Sequence, residues 1–198
     1  MADPTSLQPA RLTLYTDAHI IRGSMLTRHR RVTDILNESE HPFVVLSEVI
    51  VDAYGSRDQP MQVEFAQVNL DAVLFAVTDE PVTAPPELRT PKVAEQALVS
   101  VPPFRVVGRV HLLPGRDLRE GLDELTGRFI PVTEAAFWSE TIGEARQTAL
   151  ALAVNHGRAQ VLAPYRVVDP WAGIDRAAPH RVAEAAGESP GPDTEPGG

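Results

Sequence analysis

VTDILNESEHPFVVLSEVIV, residues Val32–Val51, lies over LREGLDELTGRFIPVTEAAF, residues Leu118–Phe137, at an offset of 86. The overlay matches Asp34 to Glu120, Leu36 to Leu122, Asn37 to Asp123, Glu38 to Glu124, Phe43 to Phe129, Ser47 to Thr133 and Glu48 to Glu134. Upstream, RLTLYTDAHIIRGSMLTRHRR (Arg11–Arg31) lies over QALVSVPPFRVVGRVHLLPGR (Gln96–Arg116) at an offset of 85, pairing Gly23 with Gly108 and Arg31 with Arg116. Downstream, Val68-Asn69 falls on Val154-Asn155. The matches keep one order and need one gap. The chain therefore reads as two diverged copies of one module laid head to tail, and such a repeat constrains the fold before any single residue does.

Each copy reads mainly as strands. Leu12, Leu14 and Ile20 cluster with β-formers on either side of a turn at Asp17-Ala18, where the second copy has Pro102-Pro103. A position that accepts two prolines is a turn. His19–Leu26 is a second strand, in which Gly23 marks a bulge or a close backbone approach. In Val32–Ser39 the apolar residues Val32, Ile35 and Leu36 follow helical spacing, predicting a short helix. Phe43–Ala53 is a strongly β-prone run. Gln62–Val77 reads as two strands joined at Asn69-Leu70-Asp71, and its partner Thr148–Leu162 turns at Asn155-His156-Gly157, a step suited to a tight hairpin with positive φ.

Glu144–Val154 (EARQTALALAV) is ambiguous when read alone, because alanine, leucine, glutamate and arginine all favour helix. Its counterpart Asp58–Val68 (DQPMQVEFAQV) has no helical character, so Gln147–Val154 is predicted as a strand. Between the copies, Asp79–Lys92 (DEPVTAPPELRTPK) holds four prolines and few core candidates, which makes it a semi-stiff linker. The predicted organisation is a first β-module at 11–78, a Pro-rich linker at 79–95, a second β-module at 96–168 and an acidic, largely disordered tail at 169–198.

Composition bounds the function. The chain has 198 residues, 43% apolar and 23% charged, an ordinary balance for a globular protein. Cysteine is absent, which excludes disulfides and thiolate metal sites and suits a cytoplasmic location. No apolar leader segment opens the sequence, and no apolar run reaches the length of a membrane span. The net charge of −9 opposes general affinity for nucleic acid, which depends on neutralising phosphates.

Arg31–Asn37 (RVTDILN) followed by Phe43–Glu48 (FVVLSE) resembles a bacterial domain family of unknown function that carries R-[LV]-[ST]-D-x-L-N and then F-[IV]-x-[LV]-[ST]-[DE]. The second copy fits the latter part at Phe129–Glu134 (FIPVTE) and departs in the former. There Arg116–Asp123 carries an extra residue, Glu120 for Asp and Asp123 for Asn. The family brings no activity with it. The strand order and the glycine in the second strand also resemble Sm-like and SH3-like small barrels. The fold class this implies is mainly β: a tandem duplication of a five-stranded small barrel with a short helical turn, packed as a pseudo-twofold pair.

Candidate chemistry is sparse. Arg31, Asp34 and Asn37 stand three apart and would share one face of a helical turn. They read either as a recognition site for a small anionic or polar ligand or as a structural brace in which Asn37 ends the turn. Thr27–Arg31 is the only basic cluster, and Arg28, Arg30 and Arg31 could meet phosphates or an acidic surface. It lacks the interleaved aromatics of single-strand binders, and the second copy does not repeat it. The six histidines form no H-x-x-x-H or H-E-x-x-H pattern, so no metal or cofactor is expected. No G-x-S-x-G elbow or glycine-rich phosphate loop is present. Glu48 and Glu134 occupy equivalent places and could form a carboxylate pair across a pseudo-twofold axis, or simply flank a strand and face solvent. The sequence is thus read as a non-catalytic binding or scaffold protein whose partner is another protein or a second subunit, with no membrane contact. Nucleic-acid or anionic-ligand binding through Arg28, Arg30 and Arg31 is the first alternative, and a hydrolytic or metal-dependent enzyme the second.

Overall fold

A computed structural model describes residues 7–27, 31–38, 41–78, 91–115 and 118–166. The interior of the predicted linker and the predicted acidic tail lie outside these residues. In the first half, β1 (Gln8–Thr16), β2 (His19–Thr27), α1 (Val32–Glu38), β3 (Phe43–Ala53), β4 (Met61–Asn69) and β5 (Val73–Thr78) follow one another. The second half repeats the order with β6 (Val93–Val101), β7 (Phe104–Leu112), α2 (Leu118–Asp123), β8 (Phe129–Ser139), β9 (Glu144–Asn155) and β10 (Val161–Pro164). Strand β6 begins inside the stretch predicted as linker.

All ten strands join one sheet in the order β10-β6-β7-β8-β9-β5-β1-β2-β3-β4. Within each half the pairing is the same: fifth strand, first, second, third, fourth. The sheet is not closed or curled into a barrel, which corrects the expectation of two SH3-like or Sm-like small barrels. The topology supplies the reason. Strand β5 is hydrogen-bonded to β1 on one side and, on the other, to β9 of the second half, through Phe75↔Val154, Ala76↔Ala153 and Val77↔Leu152. The edge that would have closed the first module is taken by its neighbour, while β4 stays at the far end of the sheet. The pseudo-twofold pairing is also corrected. A twofold axis would repeat the β9–β5 contact as β4–β10, and those two strands are instead the opposite ends of the sheet. The halves are related head to tail.

Local chemistry explains the elements. The first turn is tied by Thr16, whose Oγ1 accepts the N–H groups of Ala18 and His19 at 3.2 and 2.8 Å. Asn69 caps the next turn in the same manner, its Oδ1 accepting the Asp71 N–H at 2.9 Å. The corresponding Asn155-His156-Gly157 step is a 3-10 turn over His156–Arg158, and Gly157 is not at positive φ. Neither turn closes a hairpin, because β5 and β10 leave to pair with β1 and β6. The strand reading of Gln147–Val154 is right, and the alanines on β9 lie opposite β8. Helix propensity loses to pairing on both sides of the strand.

Gly23 and Gly108 sit at irregularities where β2 meets β3 and β7 meets β8. A Cβ on Gly23 would stand 3.0 Å from Leu46 Cβ, and one on Gly108 would stand 2.7 Å from Val132 Cγ1. Both are therefore bulges and close approaches at once. Across from them, Glu48 and Glu134 adopt left-handed φ values of 52° and 47°. Both halves carry the bulge together with its glycine and its bent glutamate.

Two apolar clusters fill the fold. One joins Leu12, Leu14, Leu36, Leu46 and Val73 of the first half to Phe129 and Ala153 of the second. The other packs Tyr15, Ile20, Leu74 and Phe75 of the first half among Val99, Phe104, Val132 and Phe137 of the second. Tyr15 stacks on Phe75 at 4.5 Å between ring centroids and meets Phe104 and Phe137 edge-on at 5.5 and 5.3 Å. Each half thus lends side chains to the core of the other. Trp138 lies within the second half, where the Arg146 guanidinium covers its ring at 4.7 Å.

Candidate interaction surface

The three residues predicted to share a helical face have different tasks. The Arg31 carbonyl accepts the N–H groups of Asp34 and Ile35 at 3.0 and 3.1 Å and so starts α1. Asp34 lies exposed in the first turn, where a negative charge suits the helix dipole. Among the described residues no ion pair joins it to Arg31. Asn37 turns to the other half of the molecule: its Nδ2 donates to the Phe129 carbonyl at 2.8 Å, and its Oδ1 accepts the Phe129 N–H at 2.7 Å. An amide that holds both the N–H and the C=O of one residue in this way substitutes for a strand neighbour at the start of β8. Arg28 and Arg30 lie outside the described residues.

A second asparagine completes the junction. Asn155, 2% exposed, donates from Nδ2 to the carbonyls of Leu70 and Val73 at 3.1 and 2.9 Å. Arg128–Asp71 at 3.6 Å and Arg158–Asp17 at 3.4 Å add ion pairs on the rim, half exposed and of small energetic weight. Sequence reading found Asn155 only as a repeat match to Asn69 and gave neither asparagine a junction role. Both partners are backbone groups, which leave no trace in side-chain patterns.

Arg31 also contributes to the surroundings of His111. The His111 Nε2 lies 2.8 Å from Thr133 Oγ1. Its pKa is lowered from the ordinary 6.5, first by burial and then by the positive charges of Lys92, Arg31 and Arg109, against a smaller opposing effect of Glu134. A histidine with a depressed folded-state pKa binds fewer protons folded than unfolded, so its contribution to stability is intact above 6.5 and is lost as pH falls below that value. The expected result is a lower denaturation midpoint at pH 5 than at pH 7.5, with the difference reduced in His111→Gln. Equal pH dependence in the two proteins would refute the assignment.

Among the described residues no group of three metal-ligating side chains is assembled. Glu48 and Glu134 are exposed at their separate bulges, and Glu134 pairs with Arg109 at 3.3 Å. No helix among the described residues is long and apolar enough to cross a membrane.

The two halves differ on β4 and β9. Strand β4 ends the sheet and carries Met61, Val63 and Phe65 at alternate positions, 58%, 36% and 66% exposed. At the matching places on β9 stand Gln147, Ala149 and Ala151. Phe43 and Phe129, the matched leading residues of β3 and β8, differ in the same sense. Phe129 is 1% exposed under the first half, whereas Phe43 is 44% exposed. Beside Phe43, a shallow groove of about 380 Å³ runs between α1 and the ends of β2 and β3, lined by Met25, Leu26, Ile35, Leu36, Glu38, Phe43, Val44 and Val45. An apolar row on a sheet edge that no other described strand pairs with is rare on a protein that works alone. The contrast with positions 147, 149 and 151 was visible in the sequence once the register was set.

Comparison with known protein families, with curated proteins and with solved structures finds no match for this chain. The resemblance of RVTDILN and FVVLSE to a bacterial domain family is therefore corrected. A short motif built from a helix turn and a β-run recurs easily, because the fold alone selects for it.

Proposed function

We propose that this protein is a non-catalytic, cytoplasmic scaffold module whose partner is a protein, engaged along the β4 edge. The observation that carries the reading is the exposed Met61-Val63-Phe65 row on an end strand, where the second half has Gln147, Ala149 and Ala151. An edge strand offers unpaired N–H and C=O groups, and apolar side chains alternating along it give an added strand something to pack against. The absence of cysteine fits a reducing compartment. The acidic balance favours a protein partner over a polyanion.

Site-specific photo-crosslinking in cells tests this. A crosslinking residue in place of Phe65 is expected to give discrete protein adducts that disappear on adding Met61→Lys. The same residue in place of the exposed Arg119 on α2 should give none. Adducts equal at the two sites, or absent from both, would reject the β4 edge as a docking surface. An adduct of twice the chain mass would identify a second copy as the partner.

A further inference from the structure

We infer that the occupant of the β4 edge is the β10 edge of a second copy, so that the protein associates head to tail. The inference rests on the protein-binding reading of β4 and names its partner. Inside the chain, the fourth strand of one half (β9) pairs with the fifth strand of the other (β5). Among the described residues, the two ends of the sheet are the fourth strand of the first half, β4, and the fifth strand of the second half, β10. The molecule thus ends in the same two kinds of edge that it already joins once internally. Contacts of this heterologous kind leave both a donor and an acceptor edge open on every copy added, until a ring closes.

The internal junction also gives the register. Phe75↔Val154, Ala76↔Ala153 and Val77↔Leu152 map, at the repeat offset of 86, onto Val161↔Val68, Leu162↔Gln67 and Ala163↔Ala66 between copies. Val161 is 48% exposed among the described residues. Pro164 follows the third pair, and having no N–H it ends the new ladder at the length of the old one. Phe43, the exposed counterpart of the buried Phe129, comes under the incoming copy.

The new junction is the weaker of the two. Tyr15, Ile20, Leu74 and Phe75, which insert into the second half, have Ser100, Arg105, Gln160 and Val161 as counterparts. Asn37 is replaced by Asp123, which can accept from the Phe43 N–H but cannot donate to its carbonyl. Association is therefore reversible and concentration-dependent.

Sedimentation of the full chain across a concentration series tests the inference, with Gln67→Lys blocking β4 and Val161→Lys blocking β10. Lysine on an edge strand discourages strand addition while leaving the monomer intact, and circular dichroism checks that both variants fold. Wild type is expected to associate, each variant alone to stay monomeric, and the two mixed to form a one-to-one dimer and nothing larger. That last result is specific to head-to-tail pairing, since each variant retains the edge that the other lacks. Dimerisation of Val161→Lys alone would show β4 pairing with β4, and dimerisation of Gln67→Lys alone would show β10 pairing with β10; either outcome overturns the proposal. A wild type that stays monomeric to about 1 mM overturns it too. In that case a heterologous adduct at Phe65 would still uphold protein binding at β4, so the two ideas fail separately.

Discussion

Replacing Gly108 by alanine is expected to destabilise the protein by about 3 kcal/mol, and replacing Gly23 by about 1 kcal/mol. The two glycines are repeat equivalents at equivalent bulges, so the chemistry of the substitution is the same and only the space differs. At Gly108 the added Cβ would lie 2.7 Å from Val132 Cγ1, 2.9 Å from the Thr133 carbonyl oxygen and 3.0 Å from Ala135 Cα. The last two are backbone atoms of a central strand, with β9 held behind them. They cannot retreat without breaking pairs. At Gly23 the nearest atoms are Leu46 Cβ at 3.0 Å and the Ser47 carbonyl oxygen at 3.1 Å. A shift of a few tenths of an ångström relieves these, and β3 is backed only by the end strand β4. Neither glycine needs positive φ, so the cost is that of overpacking. Denaturant unfolding read as a change in midpoint at constant slope measures both values. Equal costs at the two sites would refute the link between sheet position and tolerance.

The comparison of these glycines shows what the sequence makes legible. Self-alignment located Gly23 and Gly108, the helix turn at Val32 and the Phe43–Ala53 strand, because each depends on local propensity and on side-chain alternation. It also resolved the alanine-rich Gln147–Val154 segment, which propensity alone would have made helical, through a counterpart with no such bias. Barrel closure was not legible. Whether the second side of β5 closes on β4 of its own module or reaches β9 is decided by contacts such as Asn37 with Phe129, 92 residues apart, in which the partner is backbone. Nor could the register predict that Phe43 stays exposed while Phe129 is buried, since the two residues are identical and only their neighbours differ. The candidate surface was half legible: Met61, Val63 and Phe65 against Gln147, Ala149 and Ala151 is a sequence contrast, but its placement on a sheet edge is a fact of topology.

Asn155→Ala is expected to cost about 2–3 kcal/mol, whereas Asn69→Ala, its repeat equivalent, should cost less than about 1 kcal/mol. Both side chains end the fourth strand of their half, and both substitutions remove the same amide. Asn69 is exposed, and its one local bond, Oδ1 to the Asp71 N–H, can be replaced by water. Asn155 is 2% exposed, and its Nδ2 serves two carbonyls, those of Leu70 and Val73, on the far side of the junction. Alanine leaves those acceptors short of a donor in a place water reaches poorly, so the desolvation penalty is not offset. The aspartate variant separates this from simple loss of packing. Asn155→Asp keeps the shape and can accept but not donate when ionised, and it buries a charge against two carbonyl oxygens. It should be more damaging than alanine at pH 7 and should recover towards wild type as pH falls and the carboxyl gains a proton it can donate. A variant series in which aspartate is the milder change, or in which positions 69 and 155 respond alike, would mean that Asn155 does not hold the two halves together.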